Sequence, residues 1–590
     1  MLGHRCLPLL LAAVAVLLCL PALRTGLYFD DTRQWLILED ADVPVNLHHT
    51  PFDMFKFADG SNDDAQHLMD VGFLPWWTLK NIRLAFCRPV TVLTHMLDHE
   101  LWPRQLWLMH LHNLLWLAAL VFVAALLYRN VHGAGWVAGL AALLYAIDDG
   151  HAMPAGWIAN RNGLIAAFWG LLCVLCHVRW RQSGRWPLAV VAPLFLLLGV
   201  LSNEGAIGAC AYLFAYAVCL DEGRLTKRLL TILPYAVVIV GWRVTYSALG
   251  YGVWGSATYL DPVASPLSFA RALIVRAPVL LLGQWALPAS DIFLFIPPLA
   301  KFILWGVAVL FLGVLGYLLA PLFRGGARRE ARTGRFWAVG MVLAVIPAST
   351  TFPTDRLMLF AGVGAMGLLA QFLAVARAGA PPVDVPSGNG TGRGRRWRRW
   401  ARRFFWVFIV LHLVLAPVLL PTRICGFSRL GDVVFDCIDG ASLGEDVEDK
   451  TVIFVSAPNV FFTSDLLNVR AIQEKPLPEH IRSLAPNSVM PVPIRITRED
   501  ARTLLAEPQG GYVWFLVRDN AHRFEIGDVV ELAGLSIEIR SLTEKGYPGE
   551  VAFRFDKPLE DPEYVLFQFD HDTFVPFTPP GIGESVTWAP

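Results

Sequence analysis

Residues 7–31 read LPLLLAAVAVLLCLPALRTGLYFDD, an uncharged apolar run closed by Arg24 and then by the acidic pair Asp30-Asp31. A helix needs about 20 apolar residues to cross the roughly 30 Å hydrocarbon core of a bilayer, and the run approaches that length. No small-x-small cleavage site stands out before Tyr28, so the run reads as an uncleaved span rather than a signal peptide. The acidic pair is thereby held at the membrane surface. The same pattern, an apolar run ended by charged residues, repeats along the chain and decides its class. Of 590 residues, 55% are hydrophobic and only 17% charged, too apolar for a protein that must present a polar exterior to water. The chain reads as a polytopic membrane protein, mainly α. A formal net charge of zero gives no sign of nucleic acid binding.

About eleven windows have the length and apolarity of a span: 7–23, 106–128, 135–147, 162–178, 186–202, 204–220, 228–249, 299–321, 336–352, 357–376 and 404–421. A further stretch, 270–288, carries Arg271, Arg276 and Gln284. Counting it as a crossing would split the basic loops between both sides, so parity predicts a re-entrant or interfacial segment, placed to line a lateral opening for lipid. With eleven crossings, Arg129, Arg179 to Arg185, Arg224 to Arg228, Arg324 to Arg335 and Arg393 to Arg403 fall on one side, the cytoplasm by the positive-inside bias. Residues 378–403, rich in Pro and Gly and ending in arginines, then form a basic cytoplasmic linker that anchors the topology and meets anionic lipid. The preference for Arg over Lys, with abundant Ala and Gly, favours a bacterial cytoplasmic membrane.

The opposite face receives 24–103, 148–161, 202–204, 250–298, 351–356 and the whole tail, 422–590. Alternating β-branched runs at 451–456, 511–517, 529–539, 550–555 and 563–569 predict that the tail is a mostly β soluble domain. The expected organisation is a transmembrane domain over 1–421 and an extracytoplasmic domain over 422–590. Cys173, Cys176 and His177 lie inside a span and read as core packing. Cys425 and Cys437 follow the last span and would form a disulfide in an oxidising compartment.

Charged residues next to a bilayer are costly to bury, so those kept at span ends pair with each other or serve a function. Asp30, Asp31, Arg88, Asp98, Asp148, Asp149, His151, Arg161, Glu204, Asp291, Asp355 and Arg356 all fall on the predicted outer face. Four patterns among them resemble GT-C fold glycosyltransferases: Tyr28-Phe29-Asp30-Asp31; Arg88-Pro89 leading to His110-Leu111-His112-Asn113; Gly156-Trp157-Ile158-Ala159-Asn160-Arg161; and Leu201-Ser202-Asn203-Glu204-Gly205. Within that fold they look most similar to the protein O-mannosyltransferase-like members with a soluble extension. The resemblance covers about residues 7–376 and lies in the order and spacing of the motifs.

The resemblance implies an inverting transfer of one sugar from a polyprenyl-phosphate donor to a protein, glycan or lipid hydroxyl, outside the cytoplasm. A hydroxyl acceptor needs a base, and a partly desolvated carboxylate suits that task. Asp30 is the expected base and Asp31 a pairing or capping residue. Glu204 is the third expected catalytic carboxylate, orienting the acceptor or pairing with an arginine. An arginine fork suits the donor phosphate as negative charge grows on the leaving group. Arg356, in Pro353-Thr354-Asp355-Arg356-Leu357, matches the late-span arginine of the family, with Arg161 and Arg88 behind it. Arg161 equally suits a snorkelling residue at a span start. Asp148, His151 and Asn113 are the expected substrate contacts.

The chain also departs from the family. Asp148-Asp149 and Met153 stand where the family often has a His-Pro pair and a downstream Glu, and Asn203 stands within its Ser-Lys-Glu motif. These changes leave the sugar open. No cofactor is expected, although Asp30, Asp148 and Asp149 have the hard oxygen ligands that suit magnesium or manganese. Two other classes fit a chain of this kind. A transporter or flippase would carry charges near the bilayer midplane and related halves, and a non-catalytic envelope scaffold would bind through its β tail.

Overall fold

The computed structural model describes residues 2–47, 50–324, 329–378, 392–441, 443–444, 446–457, 465–486, 491–514, 516–571 and 573–589, with the side chains of 392 and 393 left aside. Its contacts divide the chain into a helical unit, Met1–Thr25, Cys87–Leu249 and Pro266–Ser428, and a second unit, Gly26–Phe86, Gly250–Ser265 and Arg429–Pro590. The tail expected to stand as its own domain is thus joined by residues 26–86 and 250–265. Most of the expected linker, 379–391, lies outside the described residues, and its arginine-rich end belongs to the helix Gly392–Ile409.

The protein is an integral membrane protein built mainly of helices. Seven helices among the described residues are long and apolar enough to cross a membrane: Leu106–His132, Ile158–Ser183, Leu225–Ala248, Pro266–Trp285, Pro298–Phe323, Asp355–Ala378 and Gly394–Gly440. The sequence reading counted about eleven, because it scored apolar runs without knowing where each helix stops. Leu7–Leu18, Trp136–Ala146, Trp186–Val200 and Glu204–Cys219 are apolar but shorter. Pro21 turns the first into a 3-10 segment, Leu20–Arg24, and Asp148 opens another short turn just after Ala146. The segment expected to be re-entrant is a continuous helix, Pro266–Trp285, that meets the length and composition of a span. Loop parity is the ground for the re-entrant or interfacial expectation; within the helix, Arg276 donates to the Ser349 carbonyl at 3.0 Å.

The core of the helical unit is organised around the helix Leu359–Ala378. Three buried tyrosines from other helices aim their hydroxyls at its first turns: Tyr145 donates to Leu359 O at 3.0 Å, Tyr212 to Phe360 O at 2.6 Å and Tyr128 to Val363 O at 2.6 Å. Each such bond contributes about 1 kcal/mol and satisfies a phenol that hydrocarbon would otherwise strand. Small residues let the neighbours approach. A Cβ on Gly367 would lie 2.7 Å from the buried Trp337 ring, the close packing by which membrane helices associate.

The second unit is mostly β. Its strands are β1 Lys56–Asp59, β2 Arg83–Ala85, β3 Gly252–Trp254, β4 Thr451–Phe454, β5 His480–Ser483, β6 Ile494–Arg498, β7 Thr503–Pro508, β8 Val529–Leu532, β9 Leu535–Ile539, β10 Val551–Phe555, β11 Tyr564–Asp570, β12 Thr573–Pro576 and β13 Ser585–Trp588. They form sheets ordered β1-β2-β3, β13-β6-β7-β10-β9-β8 and β12-β11-β4-β5. β4 pairs in parallel with β5 and β11, whereas the six-stranded sheet is antiparallel throughout. The alternation expected at 529–539 resolves into the hairpin β8–β9. No strand forms at 511–514 or 516–517: Gly511 has φ +81°, and Tyr512 N donates to Pro548 O at 2.8 Å outside any ladder. Cys425 and Cys437 are free thiols on one helix, Ala416–Gly440, so the expected disulfide is not formed. Residues twelve apart on a helix sit more than three turns from each other.

Candidate active site

The helical unit gathers its charged residues in the turns between helices, and hydrogen bonds tie those turns together. Asn203 Nδ2, in the Leu201–Gly205 motif, donates at 2.8 Å to Oδ1 of Asn162, the residue that follows the Gly156–Arg161 motif. Thr91 Oγ1 donates to Ser202 O at 2.9 Å and Asn113 Nδ2 to Trp157 O at 3.1 Å, which brings in the other helical segments. Of the expected site residues, this unit holds Arg88, Asn113, Asp148, His151, Arg161, Glu204 and Arg356, while Asp30 and Asp31 belong to the second unit.

The three expected phosphate arginines sit in different surroundings. Arg161 is fully buried and pairs with Asp98 at 2.5 Å. It also donates from Nε to Asn113 Oδ1 and from Nη2 to Met109 O at 2.9 Å. Asp98 in turn holds His112 Nδ1 at 2.6 Å. Arg161, Asn113, His112 and Asp98 thus form one largely buried network of hydrogen bonds and ion pairs. Arg88 is bound to Glu204 through Nε at 3.1 Å and Nη2 at 2.9 Å, and Tyr246 Oη reaches the other carboxylate oxygen at 3.4 Å. Arg356 differs from both: its guanidinium lies 5.1 Å from the Trp157 ring centroid and 5.9 Å from that of Phe352. Its buried Nε has no hydrogen-bond partner among the described residues. A guanidinium steered by aromatic faces keeps its N–H edges available to an anion.

Beside Arg356, an arginine that the sequence reading passed over organises the acids. Arg423 Nη1 donates to Asp149 Oδ2 at 2.7 Å and to Asp355 Oδ2 at 2.9 Å, and its Nη2 donates to Asp291 Oδ2 at 2.8 Å. Asp355 also accepts from Ser290 N at 2.9 Å and Ser290 Oγ at 2.5 Å, and Thr354 Oγ1 donates to Asp291. One cation thus joins the turn after Trp136–Ala146, the turn after Pro266–Trp285 and the start of the last buried span. Three acids at separate span ends called for a cation, and that was the signal to find it. Arg423 escaped notice because it fell just past the expected last span, in what read as tail.

Asp148 lies at the edge of this cluster. It accepts from Gly150 N at 3.0 Å and from Gln284 Nε2 at 2.8 Å. Burial first, and then the neighbouring Asp149 charge, push its carboxyl up to about 7. Burial also raises Asp149 and Asp291 above the usual carboxylate range, against the pull of Arg423. His151 is buried, its ring edge-on to Tyr145 with centroids 4.8 Å apart, and burial depresses its imidazole to about 4. It is neutral at physiological pH. Among the described residues, no group of three or more His, Cys, Asp or Glu is arranged to hold a metal ion.

In the second unit, Asp30 and Asp31 open the helix Asp30–Leu38. Asp31 is buried and accepts from Tyr28 N at 3.2 Å, while Asp30 is half-buried. Phe29, just before them, has φ +53°, a conformation costing a non-glycine residue about 1–3 kcal/mol. Asp465, buried and raised to about 7 chiefly by burial, also feels the charge of Asp30. Nothing local in the sequence signals this proximity of two acids, which are far apart along the chain.

No family model matches the chain. It is similar, at 27% identity over 271 residues, to NADH-quinone oxidoreductase subunit N of Salinispora tropica, a match covering 44% of this chain and 49% of that protein. The chain therefore spans about half the length of that curated relative. Among solved structures it is similar to the oligosaccharyltransferase AglB from Archaeoglobus fulgidus in complex with an inhibitory peptide and a dolichol-phosphate. That likeness has a TM-score of 0.41 and 13% identity, and covers 80% of this chain and 64% of that one. It is also similar to ArnT from Cupriavidus metallidurans bound to undecaprenyl phosphate, with TM-score 0.35, 14% identity, and coverage of 80% and 89%.

Proposed function

We propose that this chain is a GT-C-type membrane glycosyltransferase that moves one hexose or pentose from a polyprenyl-phosphate carrier to a hydroxyl on a protein, glycan or lipid. The reaction takes place at the extracytoplasmic face of a bacterial cytoplasmic membrane, and the β unit faces the same compartment. The observation that carries the reading is the contrast among the arginines. Arg161 and Arg88 are committed to Asp98 and Glu204, whereas Arg356 rests on aromatic faces with its Nε unpaired among the described residues.

In this reading Asp30 accepts the proton of the acceptor hydroxyl while its oxygen attacks the anomeric carbon. The bond from that carbon to the donor phosphate oxygen breaks, and the electron pair leaves with the polyprenyl phosphate. Arg356 binds the phosphate as its charge grows; the leaving group is more negative in the transition state than in the ground state, so the contact lowers the barrier. Asp31 shapes the turn that presents Asp30. Arg161, Asn113 and His112 brace the helix ends, and the Arg88–Glu204 pair holds a neighbouring turn. Asp148, partly protonated near neutrality, offers a hydroxyl donor to the sugar, and His151, packed on Tyr145, stays neutral nearby in the chain.

The test is transfer of radiolabelled sugar from a synthetic polyprenyl-phosphate donor pool by purified protein in lipid nanodiscs. Asp30→Asn abolishes transfer while the protein inserts and melts normally. Full activity in Asp30→Asn would remove the proposed base, and absence of transfer from every lipid-linked donor would remove the enzyme reading.

A further inference from the structure

The arginine-rich stretch that the sequence placed in a linker is, from Gly392 onward, a helix with two distinct faces. Gly394, Trp397, Ala401 and Phe408 are buried, and Trp397 Nε1 donates to the Leu318 carbonyl at 3.2 Å, fixing the helix against Pro298–Leu319. Arg395, Arg396, Arg398, Arg399, Arg402 and Arg403 are all exposed. Among the described residues no carboxylate forms an ion pair with Arg396, Arg398, Arg399, Arg402 or Arg403. The rotation of the helix is set by its buried face, so the fold itself turns the arginines outward.

The exposed face changes chemistry within one helical turn. After Arg403 it becomes Trp406 at 63% exposure, then Val410 at 47%, Val414 at 52% and Val418 at 57%. Exposed valines on a membrane-spanning helix meet acyl chains, so the change from arginine to valine marks the boundary between headgroups and hydrocarbon. Trp400, exposed at 42% and stacked under the Arg403 guanidinium at 5.3 Å, sits at that boundary, where tryptophan side chains concentrate. A guanidinium at headgroup depth meets lipid phosphate before anything else, and pairs with it through parallel hydrogen bonds.

We infer that this face is a binding surface for anionic phospholipid, which collects phosphatidylglycerol-type headgroups around the helix at one leaflet. The partner follows from depth as well as charge: a soluble polyanion would have to displace the lipid already there. The surface is independent of the sugar-transfer reading.

The full-length protein, equilibrated in mixed micelles of phosphatidylglycerol and phosphatidylcholine at equal mole fraction, is re-isolated and its retained lipid measured by mass spectrometry. Wild type retains phosphatidylglycerol several-fold over phosphatidylcholine, and raising the salt to about 1 M, where screening is short-ranged, reduces the excess. A variant with Arg396, Arg399 and Arg403 changed to Gln loses most of the enrichment, and the matching Arg→Lys variant keeps most of it. Since three exposed changes leave the buried face intact, circular dichroism of each variant remains that of wild type. Equal enrichment in the Gln variant would overturn the assignment. Displacement of phosphatidylglycerol by a stoichiometric short RNA duplex would equally overturn it, in favour of a nucleic acid.

Discussion

Arg423 holds three carboxylates that would otherwise repel one another in a poorly solvated turn cluster. Removing one partner of a buried ion pair leaves uncompensated charge and costs about 3–5 kcal/mol. Arg423 and its partners are up to about a quarter exposed, which brings the expected loss for Arg423→Ala to about 2–3 kcal/mol. A thermal melt of the purified protein measures it, and Arg423→Lys recovers only part because a point charge cannot serve three acceptors at once. Asp148 gives a pH signature. Its folded carboxyl titrates near 7 against 3.8 ordinarily, so between about pH 4 and 7 the folded protein binds more protons than the unfolded chain. Stability therefore falls as pH rises through that window and levels off above it. Asp148→Asn flattens this slope in melts taken from pH 4 to 8, and an unchanged slope would show that another group is responsible. The acids of this cluster were legible in the sequence because charge at a span end is conspicuous. Arg423 was not legible, because its role depends on three partners that are remote along the chain.

At the scale of elements, the site depends on how closely the helix Pro266–Trp285 meets the turn before Leu359–Ala378. A Cβ on Gly283 would stand 2.8 Å from both Asp355 Oδ1 and Ser290 N, the two atoms that bond each other at 2.9 Å. Gly283→Ala must push that turn aside, so it is expected to lower the melting temperature and to reduce transfer activity about tenfold or more, since small displacements of positioned groups are costly to catalysis. Gly306→Ala, which meets nothing within 4 Å, is the control expected to leave both unchanged. For the segment carrying Gly283, the parity of the basic loops predicts a re-entrant or interfacial stretch, and the structure holds a continuous helix there, Pro266–Trp285. On that helix the long Arg276 side chain reaches a carbonyl at a neighbouring helix end, Ser349 O, which lowers the cost of a charge beside apolar surface. Strands in the second unit were legible where β-branched residues alternate, as in β4, β8–β9 and β10. Strands such as β5 and β7 were missed, since charged and turn-forming residues interrupt their alternation and only the neighbouring strands define them.

At the scale of the whole molecule, composition sufficed for the class, a polytopic helical membrane protein with a mostly β C-terminal region, because bilayer thickness and backbone hydrogen bonding restrict what an apolar chain can do. Composition could not supply the number of crossings, since a helix's end depends on caps and packing that apolarity alone does not report. Nor did it reveal that 26–86 and 250–265 join the β unit, as short strands β1 to β3 draw their stability from pairing across distant segments.

The most direct test is equilibrium binding of undecaprenyl phosphate to the purified protein in nanodiscs, with undecaprenol as the uncharged control and Arg356→Ala and Arg356→Lys as variants. The account predicts saturable binding of the phosphate but not the alcohol, weakened about tenfold or more in Arg356→Ala and measurably in Arg356→Lys. Equal binding of phosphate and alcohol, or an affinity that neither variant changes, would contradict it.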